Sequence, residues 1–180
     1  MHLAYSKWLF SDLLYKQKHP TSKDSARERY PFLLTKHEQM IYLSTRIKAL
    51  GRAPTVRIAN FALRWCKEHI GVNNRKKYLP TWTIRKASEP DLCGEYDDEL
   101  NEVLIYYDSI DDVRELIATC IHEWTHQKQP ITTKYFKYPG SYSRNPYERQ
   151  ARYNEKKYTR PLWDAIKHKV NKTNNGVRNK

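Results

Sequence analysis

The sequence predicts an α+β domain, with helices in the first half, a small, mostly antiparallel sheet near the middle, and two further helices after it. Three observations carry this expectation. Apolar residues recur at helical spacing over residues 113–124. Two short segments, 81–85 and 103–107, alternate instead with period two and are rich in β-branched and aromatic residues. Asn145-Pro146 has the form of a helix start, an N-cap followed by proline at the first helical position. With 180 residues, 39% of them hydrophobic and 13% aromatic, the chain can bury one core and is not disordered throughout.

In chain order, Met1 to Lys18 mixes Leu3, Trp8, Leu9, Leu13 and Leu14 with lysines and is expected as a short helix. His19 to Ser25 reads as a linker. Residues 1–30 are therefore a basic, aromatic segment packed on one domain spanning 31–170, followed by a disordered basic tail at 171–180. A helix is expected from about Thr35 to Leu50, stopped by Gly51. A second opens at Pro54 or Thr55 and ends at Gly71. His37 and His69 are read as ordinary polar positions on these helices.

The strands Thr81–Arg85 and Val103–Tyr107 bracket a further candidate strand, Leu92–Tyr96, closed by the acidic turn Asp97-Asp98-Glu99. The next helix takes Ser109 as its N-cap with Asp112 at the third position, where acids suit the positive end of the helix dipole. Its apolar stripe is Val113, Leu116, Ile117, Cys120, Ile121 and Trp124, and Pro130 ends it. Residues 131–144 form a Tyr- and Lys-rich loop, and Pro161-Leu162-Trp163 restarts a short final helix after the one begun at Pro146.

The chemistry is concentrated in His122-Glu123-Trp124-Thr125-His126. Four residues of helix turn about 400°, so His122 and His126 project from one face, and two such imidazoles can share a Zn²⁺ at about 2.0–2.1 Å. Glu123 stands beside the first ligand, where it can take a proton from water at the metal. A third ligand is offered by Glu148, one turn into the helix that Asn145-Pro146 opens. Glu148 also fits a capping box with Asn145, in which it merely bonds the N-cap amide. Asp164 and His168 are the reserve ligands.

His122-Glu123-Trp124-Thr125-His126 followed by Asn145-Pro146-Tyr147-Glu148-x-x-Ala151 resembles gluzincin-type zinc metallopeptidases, especially small zincin-like proteins encoded by tailed bacteriophages. The likeness covers Leu79 to Tyr158. A metzincin would need Gly and His where Gln129 and Thr132 stand. The resemblance implies a minimal zincin that cleaves peptide bonds with Zn²⁺ on His122, His126 and Glu148 and with Glu123 as general base. It also implies that a strand near Asn101–Tyr107, or its neighbour, lies along the cleft and pairs with extended substrate. Tyr135, Tyr138 and Tyr142, in the following loop, are candidate stabilisers of the oxyanion. A phage origin would put the protein in the host cytoplasm or the virion.

The net charge of +13 is unevenly spread. Glu89 to Glu115 holds eleven acids against Arg114, a net −10, which leaves +23 for the rest. Such a basic surface attracts polyanions, with Lys156 and Lys157 beside Tyr153 and Tyr158 as candidate nucleic-acid contacts. Two alternative functions follow: a nucleic-acid-associated or virion-packaged protein that keeps the fold for binding, and a zinc amidase acting on cell-wall crosslinks. No apolar run is long enough for a membrane span, the first residues lack the form of a signal peptide, and a cytoplasmic setting is expected. Cys66, Cys93 and Cys120 are read as buried reduced thiols.

Overall fold

The computed structural model describes residues 40–130 and 144–176, with side chains to residue 172. Four helices and a three-stranded mixed sheet make an α+β arrangement in this region. The helices are α1 (Ile47–Leu50), α2 (Arg52–His69), α3 (Val113–Lys128) and α4 (Pro146–Gly176). The strands are β1 (Thr81–Arg85), β2 (Gly94–Asp97) and β3 (Glu102–Tyr106). Among the described residues no helix is long and apolar enough to cross a membrane.

The helix expected over 35–50 is reduced to its last turn, α1; residues 35–39 lie outside the described residues. Its middle serves another element instead. Leu43 and Thr45 give their carbonyls to the amides of Arg114 and Val113, and Arg46 bridges to Asp112. The first amides of a helix have no partner within it, so this extended segment completes the start of α3. The remaining cap is Asp112, whose Oδ1 accepts from the Glu115 amide at 3.0 Å. The expected N-cap, Ser109, lies instead in a 3₁₀ turn, Tyr107–Ser109.

Helix α2 begins at Arg52, with Pro54 inside its first turn, and ends before Gly71, whose φ of 83° suits a residue without a side chain. It buries Ile58, Ala59, Ala62, Leu63 and Cys66. The sheet order is β1-β3-β2, with β1 parallel and β2 antiparallel to β3. The expectation of a mostly antiparallel sheet is therefore corrected. The chain between β1 and β2 crosses the end of β3, and β3 then slots between its two predecessors. Val103 and Ile105 point to the helices, and Leu104 and Tyr106 to the opposite face. The strand just before α3 is thus internal and paired on both sides, and β1 and β2 are the edges, β2 being the one beside α3 at Gly94.

Helix α4 does not stop and restart at Pro161 but runs through it. Proline removes one ladder hydrogen bond, yet Leu162 and Ile166 continue the inward stripe of Glu148, Ala151 and Glu155, so packing holds the helix on course. The tail expected from residue 171 is also corrected: the helix extends to Gly176, and Asn171 Oδ1 accepts from the Ile41 amide at 2.8 Å. The core lies between α2, α3, α4 and one sheet face, with Trp124 at its centre donating to Gly71 O at 2.8 Å. The three cysteines are free; Cys66 and Cys120 are buried and Cys93 is half-buried.

Candidate metal centre

His122, His126 and Glu148 come together although Glu148 lies 22 positions after His126. All three are buried, at 3%, 5% and 1% exposure, which is rare for groups of this polarity unless they serve one another or an ion. The two Nε2 atoms stand 3.0 Å apart. Glu148 Oε2 lies 3.3 Å from His122 Nε2, and its Oε1 lies 3.3 Å from His126 Nε2. Two ligands at about 2.0–2.1 Å from a tetrahedral ion are about 3.3 Å apart. The triangle therefore has the size that one ion needs, and the group can hold a metal ion.

The far nitrogens are fixed as well. His126 Nδ1 donates to Gln129 Oε1 at 2.9 Å. The orientation of that amide follows from its other contacts, because Gln129 Nε2 donates to Tyr147 O, which can only accept, and to Gln150 Oε1, each at 2.9 Å. His122 Nδ1 donates to Glu155. With both Nδ1 atoms protonated, both Nε2 atoms turn inward, the arrangement that carboxylate and amide partners give metal-binding histidines.

The sequence reading missed Glu155 and Gln129. Glu155 follows Glu148 by seven residues, two helical turns, and so faces the same way. Gln129 follows His126 by three. Both spacings were visible, but only the docking of α4 against α3 gives them a purpose. Asp164 and His168 are exposed further along α4, and Asp164 pairs with Arg160 and Lys167. Asp164 is sixteen residues beyond Glu148, about 24 Å of helix, so neither reserve reaches the histidines. Asn145 caps α4 through Oδ1 to the Tyr147 amide at 3.0 Å, while Glu148 is turned to the histidines.

Electrostatics bind the cluster together. Burial opposes protonation of His122, but the Glu148 and Glu155 carboxylates outweigh it and raise its pKa to about 10. Burial likewise pushes Glu148 up, and the two imidazoles overcome it, holding Glu148 well below the usual carboxylate range. Glu123 is raised, mainly by burial and only partly opposed by the histidines. It is 6% exposed, and among the described residues no group hydrogen-bonds its carboxylate.

Comparison of the chain with protein-family models, curated proteins and solved structures finds no match. The geometry alone carries the functional reading. A cleft of about 400 Å³ runs along α3 from its N-terminal turn to the metal group, lined in part by Arg46, Cys93, Glu115, Thr119, His122 and Glu123. Gly94 opens β2 beside it, and a Cβ there would meet Thr119 Cγ2 at 2.8 Å and Glu123 Cγ at 2.9 Å. The edge strand is therefore seated directly on the helix at Glu123. Tyr135, Tyr138 and Tyr142 lie outside the described residues. Lys156 and Lys157 are exposed on α4, away from this site.

Proposed function

We propose that the protein is a zinc-dependent metallopeptidase with a zincin-like fold, using His122, His126 and Glu148 as ligands and Glu123 as general base. The observation that carries the reading is the placement of Glu123. No described residue hydrogen-bonds the Glu123 carboxylate, which lines the cleft and is left to what enters there. It sits beside a two-histidine, one-glutamate group at the inner end of a cleft. Metal binding alone needs only the ligands, so a free carboxylate at that point is suited to moving a proton.

Two histidine nitrogens and a carboxylate oxygen, the donors that His122, His126 and Glu148 would offer, suit Zn²⁺. When bound, zinc supplies Lewis acidity that polarises a carbonyl and acidifies water. Glu123 takes the proton of the attacking water on a carboxylate oxygen and passes it to the departing amine. Glu155 and Gln129 hold the imidazoles in the tautomer that presents Nε2. Edge strand β2 has no partner strand on its outer side among the described residues, and an extended peptide can add there through main-chain bonds.

Glu123→Gln is the test. The variant should keep about one zinc per chain, read by mass spectrometry, and lose about 10²–10⁴-fold in cleavage of a proteome-derived peptide library, the usual contribution of a positioned base. Parental turnover in that variant would remove Glu123 from the mechanism.

A further inference from the structure

We propose that the face of α2 and α4 turned away from the histidines binds single-stranded nucleic acid. This rests on a different surface from the peptidase reading and does not depend on it. Around α4, Tyr153 stands about 140° from Glu148, and Lys157 about 180° from it, so both point outward. Four rings run across the two helices. His69 stacks on Trp65 with centroids 4.2 Å apart and planes 6° from parallel. Trp65 lies 5.9 Å from Tyr158, and Lys157 Nζ stands 4.7 Å from the Tyr158 centroid and 6.0 Å from that of Tyr153. Tyr153 is 63% exposed, a large ring left in water beside a cation.

Charge surrounds this row. Arg149, Lys156, Lys157 and Arg160 are exposed on α4, and Arg64 and Lys67 on α2. Of the acids on α4, Glu148 and Glu155 are turned in to the histidines, and Asp164 is engaged by Arg160 and Lys167. On α2, Glu68 is exposed between Lys67 and His69, so the outer surface presents rings interleaved with cations in excess over acids. Bases stack on the rings while phosphates pair with the lysines and arginines, a combination that suits single strands because their base faces are open. A duplex offers the phosphates but hides the faces.

The experiment uses the full-length protein and fluorescence anisotropy with a labelled mixed-sequence single strand, as DNA and as RNA. Its length of about 20 nucleotides exceeds the ~4–16-nucleotide footprints of single-strand-binding folds. The same sequence as duplex and anionic phospholipid vesicles are the comparison ligands. The single strand should bind most tightly at about 50 mM salt and weaken steeply as salt rises. Tyr153→Ala should weaken it about 5- to 100-fold through lost stacking. Lys156→Ala with Lys157→Ala should flatten the logarithmic salt slope by about 1.4, since each single-strand phosphate contact contributes ~0.7. Glu123→Gln should bind as the parent does, which separates this surface from the cleft. Circular dichroism and thermal melts confirm that each variant is folded. Absence of single-strand binding, tighter binding of duplex or vesicles, or indifference to all three outward substitutions overturns the proposal.

Discussion

Gly94→Ala tests how the edge strand holds the proposed base in place. The new methyl would stand 2.8 Å from Thr119 Cγ2, 2.9 Å from Glu123 Cγ and 3.0 Å from Leu104 O. Non-bonded carbons rest about 3.5–4.0 Å apart, so β2 and α3 must separate by about 0.7–1 Å. Leu104 cannot yield, because its strand is paired on both sides. Overpacking of this kind costs about 1–3 kcal/mol. For a chain of this length that lowers the melting temperature by about 2–12 °C. Displacing a reacting group by about 1 Å can cost about 10²-fold in rate. None of the three atoms belongs to a proposed metal ligand, so zinc content should stay near one per chain. Thermal melts, zinc analysis and initial rates on a peptide from the cleavage screen give the three readouts. Adding Thr119→Ser removes the closest clash and should recover part of the melting temperature, but less of the rate, because the Glu123 contact remains. A Gly94→Ala protein with parental melting and parental turnover would refute this account of β2.

Three further outcomes follow from the metal group. Glu148→Gln should weaken zinc binding by orders of magnitude, since a neutral amide replaces a carboxylate ligand poorly; Asn145→Ala, which removes only the cap, should cost about 1 kcal/mol of stability and retain metal. Equal zinc affinity in Glu148→Gln and the parent would leave Glu148 without a ligand role. Glu155→Ala should reduce zinc affinity about 10–100-fold by releasing the His122 ring, as competition with a chelating dye would measure. The His122 pKa of about 10 in the metal-free state means that a proton occupies the group at pH 8 and must leave when zinc enters. Calorimetry in buffers of different ionisation heat should therefore show proton release, and affinity should fall as pH is lowered. The same raised pKa stabilises the metal-free fold fully below the ordinary histidine range, and that contribution is lost as pH climbs through about 10. Zinc binding at pH 8 with no proton released would contradict the assignment.

Local patterns gave the elements, and long-range contacts decided the rest. The stripe from Val113 to Trp124, the alternation in Thr81–Arg85 and the Asn145-Pro146 start could each be read within a dozen residues, and each appears where expected. The segment before α1 could not, because its backbone is claimed by the first amides of α3 some seventy residues later. Ser109 lost the cap to Asp112 for the same reason: the bridge from Arg46 fixes where α3 begins. The parallel pairing of β1 with β3 depends on a crossing that alternation does not encode. At the metal group the ligands were legible because helical spacing places them. Their supports, Glu155 and Gln129, were not, since each acts across the junction of α3 and α4.

That junction gives the two ends of α4 unlike fastenings. Beyond Pro161 the helix is held by Leu162, Trp163, Ile166 and Val170 in the core, a contribution fixed by the sequence. Its first three turns are held by buried Ala151, by the bond from Asn154 to Thr125, and through Glu148, Glu155 and the Gln129 bonds, which converge on the histidines. A ligand shared by two helices stabilises them according to its concentration, about 2.7 kcal/mol at a hundredfold excess over its dissociation constant. With the proposed metal bound, the proximal end of α4 would gain a fastening whose strength follows the surrounding free metal. On that proposal, chelation would return this end to the pairs of His122 and His126 with Glu148 and of His122 with Glu155, while the distal turns stay clamped, so a metal-poor environment would empty the site without unfolding the protein.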